Sequence, residues 1–123
     1  MKLNDLYTAE IHDDGAEVNI KDGEGNNTKL FIKVRGVDSK AVRKHNKRQQ
    51  KAYIECLRKD QEFDDDKWLI DGLVSATIGW RGITEKYDEK LCKELYENAP
   101  YVREQVDEFI ADRANFTKAK RKK

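Results

Sequence analysis

Apolar and polar residues alternate over two short stretches near the start of the chain, Ala16, Val18 and Ile20 in the first and Leu30, Ile32 and Val34 in the second. A period of two puts each set on one face of a strand. The intervening "DGEGNNT" is turn chemistry, because glycine and asparagine tolerate backbone conformations that other residues avoid. The pattern predicts an antiparallel hairpin over residues 16–35. A lone hairpin is marginal in water, so this one must lie against a helix or join a further strand.

Downstream the spacing becomes helical, and four helices are predicted, over residues 38–60, 66–79, 88–98 and 100–115. Asp38 or Ser39 can cap the first, since a short side-chain oxygen there accepts a bond from an otherwise unpaired backbone N–H. Its inward positions read as Val42, Ala52, Tyr53, Cys56 and Leu57, with His45 and Gln49 sharing the stripe. The aspartates at 64 to 66 suit the start of the second helix. This helix is apolar on more than one side and is expected at the centre, ending where Gly79 and Gly82 flank Trp80. The third turns Leu91, Leu95 and Tyr96 inward, and the fourth opens at Pro100, a residue tolerated in a first turn. The predicted core is Trp68, Leu69, Leu73, Val74, Trp80, Leu95, Val106, Phe109 and Ile110. These elements give an α+β fold, mainly helical, with an N-terminal antiparallel hairpin. They are expected to form one domain over 1–116, followed by a disordered basic tail over 117–123.

Composition narrows the function. The 123 residues are 40% charged, yet 25 basic and 24 acidic residues leave a formal charge of +1. The molecule as a whole therefore exerts no strong pull on nucleic acid or membrane. Charge is instead segregated: six basic residues and no acid lie between Lys40 and Lys51, acids gather at 60–66, and five more basic residues end the chain. Nothing approaches the roughly 20 apolar residues of a membrane helix or the core of a signal peptide, so a cytosolic protein without membrane attachment is expected. Cys56 and Cys92 have no metal or redox spacing and read as reduced packing residues.

Candidates for catalysis are thin. His12 and His45, the two histidines, lie in different segments, and neither cysteine sits in a nucleophile motif. Asp64, Asp65 and Asp66 are explained by a solvated helix start. The stretch "DGEGNNTKLFIK" has Asn27 and Lys33 where a calcium loop requires Gly and Glu. No catalytic, metal-binding or cofactor-binding residue is expected. The candidate partner-binding residues are Phe31, Arg43, Lys44, Lys47, Arg48 and Arg81, because aromatic and arginine side chains dominate contact energies. The apolar face of the hairpin and the Trp80 corner are further expected contact surfaces.

The order of three segments adds a family resemblance. "RGVDSKAVRKH", then "LIDGLVSATIGWRGI", then "LYENAPYVREQVDEFIADRANF" resembles the tail assembly chaperones of long-tailed bacteriophages. In that family a strand leads into a Gly-x-Asp-Ser turn, matched by Gly36, Asp38 and Ser39. A Leu-rich helix ends in Trp-x-Gly-Ile, matched by Trp80, Gly82 and Ile83, and a closing helix follows a proline, as Pro100, Gln105, Val106, Phe109 and Phe116 do here. The likeness covers Val34 to Phe116, and the linker "TEKYDEK" departs from the Gly/Pro-rich loop of many relatives. It implies a non-enzymatic role in the host cytoplasm, outside the mature virion: binding the tape measure protein and helping tail tube protein polymerise around it. Relatives are commonly made also as a frameshifted, extended form. Self-association is a further expectation. Two rival readings are a small nucleic-acid-binding regulator, suggested by Lys40 to Lys51 and the basic tail, and a minor structural component of the phage tail.

Overall fold

The computed structural model describes residues 1–117. A 3₁₀ turn at Leu3–Leu6 precedes α1 (Ala9–Asp14), β1 (Ala16–Lys21), β2 (Asn27–Val34), α2 (Lys40–Arg58), α3 (Asp65–Ala76), β3 (Thr77–Arg81), α4 (Glu89–Asn98), α5 (Pro100–Ala111) and a closing 3₁₀ turn at Arg113–Asn115. The fold is α+β, with the strands in one antiparallel sheet of order β1-β2-β3. Beyond Thr117, the tail expected to be disordered lies outside the described residues.

Local signals place most helix boundaries. The Ser39 hydroxyl accepts from the Val42 N–H at 3.2 Å and starts α2, Asp64 accepts from Lys67 N–H at 3.1 Å and starts α3, and Asp88 accepts from Lys90 N–H at 2.7 Å ahead of α4. Pro100 occupies the first turn of α5. That helix stops at Ala111, short of the predicted 115, because Asp112 accepts from the Ala114 N–H at 3.0 Å and caps a separate turn.

The largest departure concerns the helix predicted for 66–79. It ends at Ala76, and Thr77–Arg81 forms a third strand paired with β2. Thr77 and Ile78 are β-branched and favour a pleated surface, and β2 would otherwise lack backbone partners on that side. Ile32 faces Trp80 and Val34 faces Thr77, with Ile78 the additional residue of a bulge between them. Gly82 then ends the strand at φ 91°, so close to the Lys29 carbonyl that any side chain would collide with it.

The inner sheet face carries Val18, Ile20, Ile32 and Val34, all buried. Against it lie Leu73 and Ala76 from α3, Cys92 and Tyr96 from α4, and Val102, Val106 and Ile110 from α5. The apolar face of the hairpin is therefore core, not the contact surface expected of it. Of the residues predicted for the core, Leu73, Val106 and Ile110 are buried, while Leu69, Val74, Trp80, Leu95 and Phe109 are half-buried and pack on its margin. Trp68 is also half-buried, its ring 6.0 Å from Phe63 and 5.6 Å from His45. Trp80 meets Tyr87 edge-on at 5.0 Å and donates its indole N–H to the Glu85 carbonyl at 2.9 Å. This corner is thus a clamp on the loop that follows β3, not a free contact.

The second half of α2 also differs from expectation. Tyr53 and Leu57, read as inward, are 48% and 63% exposed, and Ile54 is 44% exposed. The reason is where α3 meets α2. His45 Nε2 lies 3.0 Å from the Trp68 carbonyl oxygen, so this contact is made in the first half of α2 and its last turns run past it. Phe63 meets Tyr53 edge-on at 5.4 Å.

Candidate partner-binding site

With the helices on one side of the sheet, the residues of opposite strand parity point outward: Glu17 and Asn19 on β1, Phe31 and Lys33 on β2, and Arg81 on β3. Phe31 and Arg81 are cross-strand partners, and the Arg81 guanidinium carbon stands 3.8 Å above the centre of the Phe31 ring. A cation over an aromatic face is attracted by the ring's quadrupole. Arg81 Nε also donates to Glu17 Oε2 at 2.8 Å, reaching across β2. This hydrogen bond raises the Arg81 pKa above its ordinary value. Two of the predicted contact residues, Phe31 and Arg81, are thereby brought together.

Beside them opens a groove of about 830 Å³ that spans the free edge of β1. Phe31 and Phe109 supply half-exposed apolar surface, Ile11 and Phe116 form a more deeply buried floor, and Glu17 and Lys33 provide charge of both signs. Phe109 and Phe116 meet edge-on at 5.5 Å, and the Asn115 amide donates to the Phe109 carbonyl at 3.0 Å, which fixes that wall. Further along the edge, Gln105 donates to the Lys21 carbonyl at 2.9 Å and accepts from the Lys21 N–H at 2.7 Å, imitating a strand neighbour. Such cover keeps an edge from pairing at random. The groove thus leaves accessible the stretch of β1 between Gly15 and Asn19.

Arg43, Lys44, Lys47 and Arg48 lie elsewhere, exposed on the first turns of α2. Among the described residues no ion pair engages them. They do not contribute to the groove.

Sequence reasoning passed over the cluster that anchors the groove's rear wall. His12 is fully buried on α1 and stacks on Phe116 at 4.9 Å. Its Nδ1 accepts the Asp38 N–H at 2.9 Å, so the ring proton sits on Nε2, which lies 3.7 Å from Asp38 Oδ2 and has no hydrogen-bond partner. Asp38 accepts from Thr8 Oγ1 at 2.6 Å and from Arg113 Nη2 at 2.9 Å. The Arg113 hydrogen bond holds the Asp38 carboxyl down at about 2, whereas burial lowers the pKa of His12. A polar run such as "IHDDG" gives no periodic signal of this burial; the nearby Gly36 is the hint, because any side chain there would strike the His12 ring.

A second internal polar cluster ties α3, β3 and α4 together. Thr77 Oγ1 donates to the Leu73 carbonyl at 2.7 Å and accepts from the Tyr96 hydroxyl at 2.7 Å, and the Tyr87 hydroxyl donates to the Thr77 carbonyl at 3.2 Å. Burial pushes the Cys92 thiol and both tyrosine hydroxyls up, so all three stay protonated and packed. Cys56 and Cys92 are free thiols. Among the described residues no group of His, Cys, Asp and Glu is placed to hold a metal ion, and no helix is long and apolar enough to cross a membrane.

No family model, curated protein or solved structure matches the chain.

Proposed function

We propose that the protein is a phage tail assembly chaperone that binds the tape measure protein and assists tail tube polymerisation in the host cytoplasm. The observation that carries this reading is the open groove beside Phe31, with apolar walls, charged rims and a fixed aromatic floor. A carrier for a long, sticky, amphipathic rod needs a reversible contact of this kind, in which an apolar stripe lies in a groove and flanking charges set its direction. The order of Gly36-Val37-Asp38-Ser39, Trp80-Arg81-Gly82-Ile83 and the Pro100 to Phe116 segment supports the same reading by resemblance. Dense surface charge would keep such a complex dispersed.

Co-expression with the tape measure protein of the same phage tests the proposal. The soluble yield of the partner should rise, and the two should co-purify. An unchanged yield without co-purification would overturn it. The extended, frameshifted product of the family is sought in the same experiment as a second, longer band.

A nucleic-acid-binding reading is favoured by one observation, the exposed cations of α2, which no ion pair engages among the described residues. Gel-shift titration separates the two. Binding with a steep salt slope that vanishes when Arg43, Lys44, Lys47 and Arg48 are neutralised supports the regulator and counts against the chaperone. Mass spectrometry of purified particles addresses the remaining alternative, since a stoichiometric component of the mature tail would displace the chaperone reading.

A further inference from the structure

Lys21 turns both its backbone N–H and its carbonyl to Gln105, while the Ile20 carbonyl accepts from the Thr28 hydroxyl on β2. Successive residues of a strand alternate in this way, so the backbone groups of Asn19 and Glu17 face the free edge of the sheet, as those of Lys21 do. The groove beside Phe31 runs along this edge from Gly15 to Asn19. The described residues end in the same groove, which Thr117 lines together with Asp14, Gly15 and Phe116. The six residues that follow, Lys-Ala-Lys-Arg-Lys-Lys, carry five bases and no acid. At about 3.3 Å per residue they reach about 20 Å, more than the roughly 13 Å of edge between Gly15 and Asn19. Charge points the same way, because residues 5–17 carry five acids and no lysine or arginine. Glu10 and Asp14, one turn apart on α1, and Glu17 on the edge strand are exposed. Lys33, on the rim, lies on β2 behind Glu17. Phe31, Phe109 and Phe116 offer apolar surface on which the aliphatic stems of lysine and arginine pack while their charged ends reach the rim.

We propose that residues 118–123 lie along the free edge of β1 in the groove beside Phe31, held there by Glu10, Asp14 and Glu17. Belonging to the same chain, they meet the groove at an effective concentration on the order of millimolar, so a contact too small to hold two separate molecules suffices. The edge is thereby closed to chance pairing. Under the chaperone reading, on which this consequence rests, the same residues compete with the tape measure protein for the groove and are displaced when it binds.

Carbodiimide crosslinking of the full chain at about 10 µM, far below the effective concentration within one chain, tests the contact when read by mass spectrometry. Amide bonds should join lysines of 118–123 to Glu10, Asp14 or Glu17 within the monomer, and their yield should fall several-fold as salt rises from about 0.05 to about 0.5 M. Asp14→Lys should lower the yield at Glu10 and Glu17 at least ~5-fold with the thermal melt in place, because a cation suits the end of α1. In amide NMR spectra, a full chain carrying Lys118→Gln, Lys120→Gln and Lys122→Gln should shift the signals of residues 14–19 and leave those of α2 where they are. The same variant should bind the tape measure protein several-fold more tightly. Failure of the tape measure protein to bind at all would overturn the proposed function, whereas the crosslinks and amide signals test the contact by themselves. Three outcomes would overturn the contact: signals of residues 14–19 indifferent to the glutamine variant, crosslinks to the acids at 60–66 in place of those at 10–17, or crosslinks found only in a dimer fraction, which would give the groove to the same segment of a second copy.

Discussion

The inner face of the sheet and the outer end of α2 are both rich in large apolar residues, and the structure treats them in opposite ways. Ile20, Ile32 and Val34 are closed off by three helices, whereas Tyr53, Ile54 and Leu57 stand in solvent. What separates them is the reach of α3. It joins the helices that cover the sheet, but it meets α2 near His45 and leaves the last turns uncovered. Apolar content in the sequence therefore marks two different things here, a core that stabilises one copy and a strip that is free to stabilise a contact.

The sharpest way to break this contrast is to truncate both regions. Ile32→Ala, at a residue with no exposure, should destabilise the fold by about 3 kcal/mol in urea titration, since the cavity cannot be filled from the packed sheet. Gly36→Ala comes next, at about 2 kcal/mol, because the new methyl group would press on the His12 ring. That loss should shrink in a His12→Ala background, and a double-mutant cycle without coupling would contradict the packing described.

A smaller, graded loss should appear on acidification. His12 is neutral in the fold, hemmed in by Asp38, Arg113 and Asp13, and burial depresses its pKa. Below its ordinary value of about 6.5 the unfolded chain takes up a proton that the folded one refuses, so stability falls as pH drops through that window. Asp38 acts lower: its contribution is complete above its ordinary value of 3.8 and is lost as pH falls toward about 2. Denaturant midpoints measured between pH 7 and 5 should show a slope that His12→Gln flattens. The smallest effect belongs to the other region. Leu57→Ser should change the stability of the monomer by no more than about 0.5 kcal/mol, and a loss comparable to that of Ile32→Ala would mean that the strip is core after all.

Much of this architecture is written locally. Ser39, Asp64, Asp88 and Pro100 act within a turn of where they stand, which is why the helix starts are legible from residue types alone. β3 was not legible, because the apolar run of α3 continues through Ala76, Thr77 and Ile78 without a break. Its strand character comes from β2, a partner more than 40 residues away in the chain, across the α2 and α3 segments. The outward turn of Tyr53 and Leu57 was hidden for a related reason. A helix with apolar residues on several sides does not declare which of them a distant neighbour will cover. At the candidate site, Phe31 and Arg81 were readable as contact types, but their stacking required β3, and Glu17, Phe109 and Phe116 joined them only through the fold.

On the function proposed above, the groove beside Phe31, and not the strip on α2, would hold the partner. Co-expression of the tape measure protein with Phe31→Asp and, separately, with Leu57→Glu tests this directly, using chains shown by their melts to be folded. The account predicts that Phe31→Asp loses co-purification while Leu57→Glu keeps it. Retained binding by Phe31→Asp together with lost binding by Leu57→Glu would contradict it.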